Sequence, residues 1–265
     1  MRTYKIILSI FALALACATA YISFMYVYVD HMFTPVMLLA TPSSQAPHQE
    51  WKAPIVPFIH KVNTPARARK KDKKYLGFEV DIFGAEGQIL AAHDTQEATQ
   101  HTLLADIFAA VENPAQKVWW LDIKGELTNS QLDEIVALAS SYQIPAEHLL
   151  FESSAGPTAK RIVQKNLGLL LQLPDNFDKD NGSAKTRAQL NAAALALWNE
   201  YQPLAVSASF GKYAYLQAYF PNMPKAIYYS ATRRPSIKKS LMRRHMEHDS
   251  SIKIFMTDEY SWINL

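Results

Sequence analysis

Two stretches of the chain, 75-YLGFEVDI-82 and 118-VWWLDIK-124, decide the fold that the sequence predicts. Each is an apolar run, rich in aromatic and β-branched residues, that ends in charged residues. Parallel strands buried on both faces have this composition. Six more runs of the same kind recur along the chain, with helix-like segments between them. Eight strands alternating with helices predict a (β/α)8 barrel of the TIM type.

The remaining strand-like runs complete the count of eight. They are IVPFIH at 55–60, HLLFESS at 148–154, LGLLLQLP at 167–174, LAVSASF at 204–210, KAIYYSA at 225–231 and IKIFMTDE at 252–259. The segments between them carry apolar residues at three- and four-residue spacing, which is typical of helices. A hairpin turning at residues 84–88 is expected to carry His93 over the barrel mouth. Because the chain ends soon after the eighth run, we also expect an outer gap beside the first and seventh helices.

The N-terminal segment predicts a membrane anchor. It is apolar from Ile6 to Val29 and follows Arg2 and Lys5. About 20 such residues can span a bilayer, and the positive-inside rule places the barrel on the extracytoplasmic side, which is the periplasm in a bacterium. A cleaved signal peptide, leaving a secreted barrel, is the alternative because ATA at 18–20 resembles a cleavage site. We favour the anchor because YISFMYVYV continues the apolar run past that site.

The chain therefore divides into three predicted parts: residues 1–31 as anchor or signal, residues 32–54 as a tether, and residues 55–265 as the barrel. The tether contains four prolines and shows neither a helical nor a strand period. The single cysteine, Cys17, excludes an intramolecular disulfide.

Polar residues at the ends of the strand-like runs form the candidate site. They are His60, Glu79, Asp81, His93, Asp122 and Lys124. Glu79 and Asp81 alternate along one strand, so both side chains point to the same face. Reactive groups of TIM barrels stand at the carboxyl ends of the strands, where these residues fall. Of Trp119 and Trp120, which precede Asp122, one is expected in the core and the other against a helix.

This set of residue types indicates metal-assisted phosphodiester cleavage. Glu79, Asp81 and Asp122 are the predicted metal ligands. An all-oxygen site makes Mg²⁺ the first choice and Ca²⁺ the second. The two histidines, His60 and His93, are expected to exchange protons with the nucleophile and the leaving oxygen. Lys124 would add a fixed positive charge.

The sequences of these motifs also resemble those of a known family. HKVNT at 60–64, FEVD at 78–81, AHD at 92–94 and WLDIK at 120–124 are similar to the signature of the phospholipase-C-like phosphodiesterase superfamily. That superfamily includes glycerophosphodiester phosphodiesterases, sphingomyelinase D toxins and menorin-like proteins. The His-x-Val-Asn and Asp-x-Lys patterns resemble the last two. Lys61, Val62 and Asp122 depart from the His-Arg-Gly and Glu-x-Lys of the first. The resemblance implies a phospholipid, lysophospholipid or glycerophosphodiester substrate, cleaved by hydrolysis or with formation of a cyclic phosphate.

Two further residues are candidates for substrate binding. Asn63 could hold a phosphate oxygen or a backbone turn beside His60. Glu152 ends the fourth strand-like run, where it could extend the metal shell or pair with a nearby lysine. Asp94 could orient His93 or begin the following loop.

The distribution of charge and the motifs present indicate which classes of partner the protein can bind. Basic runs lie at 67–74 and 233–244, in a chain of net charge +3. They are either two solvated helix faces or one patch that binds anionic lipid headgroups. No base-stacking motif or zinc-ligand cluster indicates nucleic acid, and no particular oligomeric state is indicated. The alternative to an enzyme is a membrane-tethered barrel that binds a ligand or acts as a scaffold without catalysis.

Overall fold

Eight parallel strands close into a barrel with helices between them, which confirms the predicted fold. The computed structural model describes residues 2–33, 50–85, 87–94, 102–174, 184–229 and 237–257. The strands are β1 Pro57–Ile59, β2 Gly77–Ala85, β3 Gln88–Ala91, β4 Val118–Ile123, β5 Leu149–Ser154, β6 Gly168–Gln172, β7 Ala205–Ser209, β8 Lys225–Tyr229 and β9 Ile252–Thr257. The ring runs β1-β9-β8-β7-β6-β5-β4-β2, and β2 pairs with β1 to close it.

Helices between the strands cover the outside of this ring, and an apolar N-terminal helix precedes them. They are α1 Arg2–Phe33, α2 Pro65–Lys71, α3 Leu104–Ala109, α4 Asn129–Ser141, α5 Pro157–Gln164, α6 Ala184–Tyr201, α7 Phe210–Tyr219 and α8 Ile237–Glu247. Each helix from α3 to α8 lies at a helix-like segment of the sequence. The predicted hairpin is also confirmed, because β3 runs antiparallel to β2 outside the ring. The expected gap after the eighth strand concerns residues 258–265, which lie outside the described residues.

The two adjacent tryptophans of β4 face opposite sides of the sheet, as expected from strand alternation. Trp120 lies in the barrel interior with Phe58 of β1. Trp119 faces outward, and its ring centroid lies 4.5 Å from that of Phe108 on α3. Gly77 allows the interior to pack this closely, because a Cβ at that position would lie 2.4 Å from the Phe58 ring. The core therefore has one layer inside the ring and another between the ring and the helices.

The base of the barrel, at the amino ends of the strands, is covered by the residues that precede β1. Ala53 is buried in the interior cluster, and Trp51 packs partly against the same cluster. The Trp51 indole Nε1 donates a hydrogen bond to the Ala53 carbonyl at 2.7 Å. Both residues belong to the segment predicted as a tether, so the packed part of the chain begins at least as early as Trp51.

A buried lysine joins the loop before β8 to the residue that precedes β9 at the same base. The Lys225 Nζ donates hydrogen bonds to the carbonyls of Pro221 and Met223, both at 3.0 Å, and to the Ser251 hydroxyl at 2.6 Å. Burial lowers the pKa of Lys225 to about 8, against the opposing effect of Asp249. Its three donors are matched to three acceptors, so this lysine holds the base together.

Helix α1 has the length and composition of a membrane span. Residues Ile7–Tyr28 have a mean hydropathy of 2.1. An anchor and a signal sequence both meet this description, so the anchor and its orientation stay predictions. The carboxyl-terminal part of α1 touches the barrel, since Met25 is buried and the Arg244 guanidinium donates a hydrogen bond to the Tyr26 hydroxyl at 3.3 Å.

Candidate active site

Three carboxylates meet inside the carboxyl-terminal end of the barrel. Glu79 and Asp81 alternate along β2 and point inward, and Asp81 pairs in register with Asp122 of β4. One oxygen from each carboxylate lies within 4.8 Å of the other two. Glu79 and Asp81 are only 1% exposed. The predicted metal ligands are thus brought together, in a position shielded from bulk water.

One lysine partly neutralises this cluster. The Lys124 Nζ lies 3.0 Å from Asp81 Oδ1 and 2.5 Å from Asp122 Oδ2. Burial alone would lower the pKa of the Lys124 ammonium group. The attraction of Asp122 and Asp81 is stronger than this effect and raises the pKa above its usual value. Lys124 therefore carries its positive charge next to Asp81 and Asp122, and its role toward a substrate stays a prediction.

The carboxylates still carry more negative charge than the lysine balances. Burial, together with Asp81 and Asp122, raises the pKa of Glu79 well above its usual value. Burial also raises the pKa of Asp122, with Asp81 adding to the shift and Lys124 opposing it. Like charges this close disfavour ionisation unless a cation joins them.

The chemistry of these donors fits a hard divalent cation. Glu79 Oε1 is buried and has no hydrogen-bond partner among the described residues. An orphaned carboxylate oxygen is costly to bury, and a cation held by oxygen ligands would satisfy it. Glu79, Asp81 and Asp122 are the residues that would hold such an ion.

His60 stands at the edge of the carboxylate cluster. It directly follows β1, and its Nε2 lies 3.8 Å from Glu79 Oε2. The centroid of its ring is 4.3 Å from that of Tyr228, with the planes inclined by 40°. Its carbonyl accepts a hydrogen bond from Arg67 Nη2 at 3.0 Å. The imidazole is therefore held between a carboxylate and an aromatic ring.

The turn after His60 is bonded to both acidic residues of β2. Lys61 has a φ of 57°, in the left-handed region, and its N–H donates to Glu79 Oε2 at 2.5 Å. The Asn63 amide Nδ2 donates to Asp81 Oδ2 at 2.6 Å, and its Oδ1 accepts from the Asp81 N–H at 3.0 Å. Both polar atoms of Asn63 are thus engaged by Asp81, and its predicted contact with substrate stays a prediction.

Glu152 lies beside the carboxylate cluster and makes its own hydrogen bonds. Its Oε2 accepts from Trp120 Nε1 at 2.7 Å, and its Oε1 accepts from the Ser207 hydroxyl at 2.6 Å. Burial and the Asp122 charge raise the pKa of Glu152 to about 8, while these two hydrogen bonds act in the opposite direction. Instead of a lysine, an indole and a hydroxyl pair with this carboxyl group.

His93 lies at the mouth with a more exposed side chain than the other predicted residues. The preceding Ala92 donates its N–H to the Asp81 carbonyl at 3.0 Å, which brings this segment beside the carboxylate cluster. The His93 Nδ1 is 3.9 Å from Asp94 Oδ2, and the His93 side chain is 44% exposed. At 3.9 Å this pair of atoms is too far apart for a hydrogen bond, so the orienting role of Asp94 and the catalytic role of His93 both stay predictions.

Three contacts of the site were missed by the sequence analysis: the Tyr228 ring on His60, and the Trp120 and Ser207 donors to Glu152. Tyr228 lies near the carboxyl end of β8, where reactive groups are expected in this fold, whereas Ser207 lies in the middle of β7. The position of Tyr228 was the available signal, although it does not reveal which side chains touch.

Comparisons with known proteins support the fold. No protein-family model matches the chain, and no curated protein matches it. Among solved structures, the chain is similar to a glycerophosphodiester phosphodiesterase from Parabacteroides distasonis, with a TM-score of 0.52 and 8% identity over 77% of this chain and 92% of that chain. A protein from Burkholderia cenocepacia provisionally assigned as a phosphonomutase gives a TM-score of 0.42 and 10% identity, over 76% and 85% of the chains. At such identity the first likeness shows a shared barrel.

Proposed function

We propose that this protein is a metal-dependent phosphodiesterase that cleaves a phospholipid, a lysophospholipid or a glycerophosphodiester. The observation that carries the proposal is the cluster of Glu79, Asp81 and Asp122, whose oxygens lie within 4.8 Å of one another and include a buried oxygen, Glu79 Oε1, that no described residue contacts by a hydrogen bond. His60 beside this cluster and Lys124 within it supply the other groups that phosphoryl chemistry needs. The motif resemblance to the phospholipase-C-like phosphodiesterases supports the substrate class.

The chain's own residues bind and transfer protons in this reaction. His60 can take or give a proton at Nε2, next to the cluster where a phosphoryl group would bind. His93, on the segment that follows the hairpin, is the proposed partner for the opposite transfer. Lys124 adds positive charge near the nonbridging oxygens. A divalent ion, Mg²⁺ first and Ca²⁺ second, would supply charge stabilisation for the developing phosphorane when bound.

The membrane is the proposed location of the substrate. Exposed Arg244 of α8 contacts Tyr26 of the apolar helix α1, which places one residue of the second basic run beside the predicted span. The first basic run presents less positive charge to a membrane surface than its sequence predicts, because Lys71 is buried and Arg67 bonds to the His60 carbonyl. We therefore propose that α8, rather than a joint patch with α2, contacts anionic headgroups.

Phosphodiester turnover by the full-length chain in detergent tests the proposal. Substrates are sphingomyelin, lysophospholipids and glycerophosphodiesters, with Mg²⁺ or EDTA, and products are followed by ³¹P NMR. His60→Ala should abolish turnover. His148→Ala is the matched control, since His148 bonds to the Lys117 carbonyl at the other end of the barrel.

The phosphorus shift distinguishes a cyclic product from a hydrolysed one. If no substrate is cleaved and calorimetry detects no Mg²⁺ binding, the proposal is wrong and the binding or scaffold protein becomes the better description. Equal loss of turnover in both histidine variants would also count against a catalytic role for His60.

A further inference from the structure

We infer that Asn63 is a positioning residue that holds Asp81 in the orientation needed to bind the cation. The inference rests on the proposed function, since it concerns the same metal site. Asn63 follows His60 by three residues, and its side chain reaches across to β2 instead of pointing into solvent.

The Asn63 amide makes a two-point contact with a single residue. Its Oδ1 accepts the Asp81 backbone N–H at 3.0 Å, and its Nδ2 donates to Asp81 Oδ2 at 2.6 Å. The two bonds fix the amide plane relative to the Asp81 backbone and carboxylate together. An amide bound at both ends would have to give up two hydrogen bonds to contact a phosphate instead.

The Asp81 carboxylate is held from both sides by this arrangement. Lys124 Nζ lies 3.0 Å from Oδ1, while Asn63 donates to Oδ2. A carboxylate offers about four lone-pair positions, so each Asp81 oxygen keeps capacity for a metal ion. Without the amide, repulsion from Glu79 and Asp122 would be free to turn Asp81 toward Lys124 alone.

The same turn also connects the histidine to the second acidic ligand. Lys61 donates its N–H to Glu79 Oε2, and Val62 donates its N–H to the Glu79 carbonyl at 2.8 Å. The segment from His60 to Asn63 is therefore bonded to both acidic residues of β2. Groups that orient metal ligands in this way typically change metal affinity by 10- to 100-fold when removed.

Magnesium affinity of the full-length chain, measured by calorimetry in detergent, tests the inference. Asn63→Ala removes both hydrogen bonds. Asn63→Leu keeps the approximate size and also removes both hydrogen bonds, without adding a charge beside the carboxylates. Both variants should bind Mg²⁺ at least 10-fold more weakly than the parent. Asn63→Leu also serves if the alanine variant does not fold.

Thr64→Ala is the matched control in the same turn. The Thr64 hydroxyl accepts the Arg67 N–H at 3.2 Å at the start of α2 and has no part in the carboxylate cluster. It should lower the melting temperature through loss of a helix cap and leave Mg²⁺ affinity unchanged. Turnover of the Asn63 variants should recover toward that of the parent at saturating Mg²⁺, which a folding defect would not produce.

Each outcome decides a different question. If the parent binds Mg²⁺ and both Asn63 variants bind it equally well, the inference is wrong and the proposed function stands. If Thr64→Ala loses as much affinity as Asn63→Ala, general loosening of the turn is the cause and the inference also fails. If the parent binds no Mg²⁺, the proposed metal site fails first, and the inference that depends on it fails with it.

Discussion

Replacing Glu152 with glutamine should change how the stability of the barrel depends on pH. Burial and the neighbouring Asp122 charge raise the pKa of this carboxyl group from its usual 4.5 to about 8 in the folded chain. The folded state therefore holds the proton more tightly than the unfolded state. The stability that this proton contributes is fully present below pH 4.5 and is lost as the pH rises through about 8.

The size of this effect follows from the shift. Each pKa unit corresponds to about 1.4 kcal/mol, so the carboxyl group costs the parent at most roughly 5 kcal/mol of folding free energy above pH 8. Glutamine stays uncharged at every pH. Its oxygen can accept the Trp120 indole N–H, and its amide nitrogen can donate to the Ser207 hydroxyl, so the local packing is preserved.

Urea unfolding between pH 5 and pH 9 in the presence of EDTA measures the effect. The free energy of unfolding of Glu152→Gln minus that of the parent should rise by several kcal/mol across this range, because only the parent loses the contribution of the Glu152 proton. Other titrating groups contribute to both chains and cancel in the difference. Glu134→Gln, at an exposed position of α4, is the control and should show no such trend. A difference that stays constant with pH to within about 0.5 kcal/mol would refute the reasoning, since that is the scatter expected of a surface substitution.

Three further variants test separate parts of the structure. Lys124→Met should lower kcat/KM by about 100- to 1,000-fold, because Asp81 and Asp122 lose the ammonium group that contacts both of them; unchanged kinetics would contradict this. Tyr228→Ala should lower kcat about 10-fold by releasing the His60 ring, while Tyr228→Phe keeps the ring contact and the rate. Equal rates in both variants would exclude a role for the ring. Lys225→Met should lower the free energy of unfolding by about 3 kcal/mol, since buried acceptors lose their donor, and a urea midpoint equal to that of the parent would count against it.

The fold could be predicted from the sequence because buried parallel strands leave a continuous apolar signal. Runs such as VWWLDIK need no knowledge of distant residues to be recognised, and each of the eight lies on a barrel strand. The proximity of the Glu79, Asp81 and Asp122 side chains could also be predicted. Strand alternation and the common position at the ends of strand-like runs place them together.

Contacts between distant strands could not be predicted in the same way. Ser207 bonds to Glu152 across 55 residues of sequence, and Tyr228 reaches His60 from the other side of β9. Such contacts depend on strand tilt and on the rotamers inside the barrel, neither of which leaves a local pattern. The role of Asn63 was open for the same reason, because either a phosphate oxygen or a backbone group suited its amide.

The packing of Trp51 and Ala53 at the base has a mechanical consequence. These residues enter the barrel at the amino ends of the strands, opposite the carboxylates. Tension along the preceding segment would act first on this closed end and would reach Glu79 only through the whole length of the strands. Force applied through the chain before Trp51, as by the proposed membrane anchor, would therefore be borne at the base before it could displace the carboxylates.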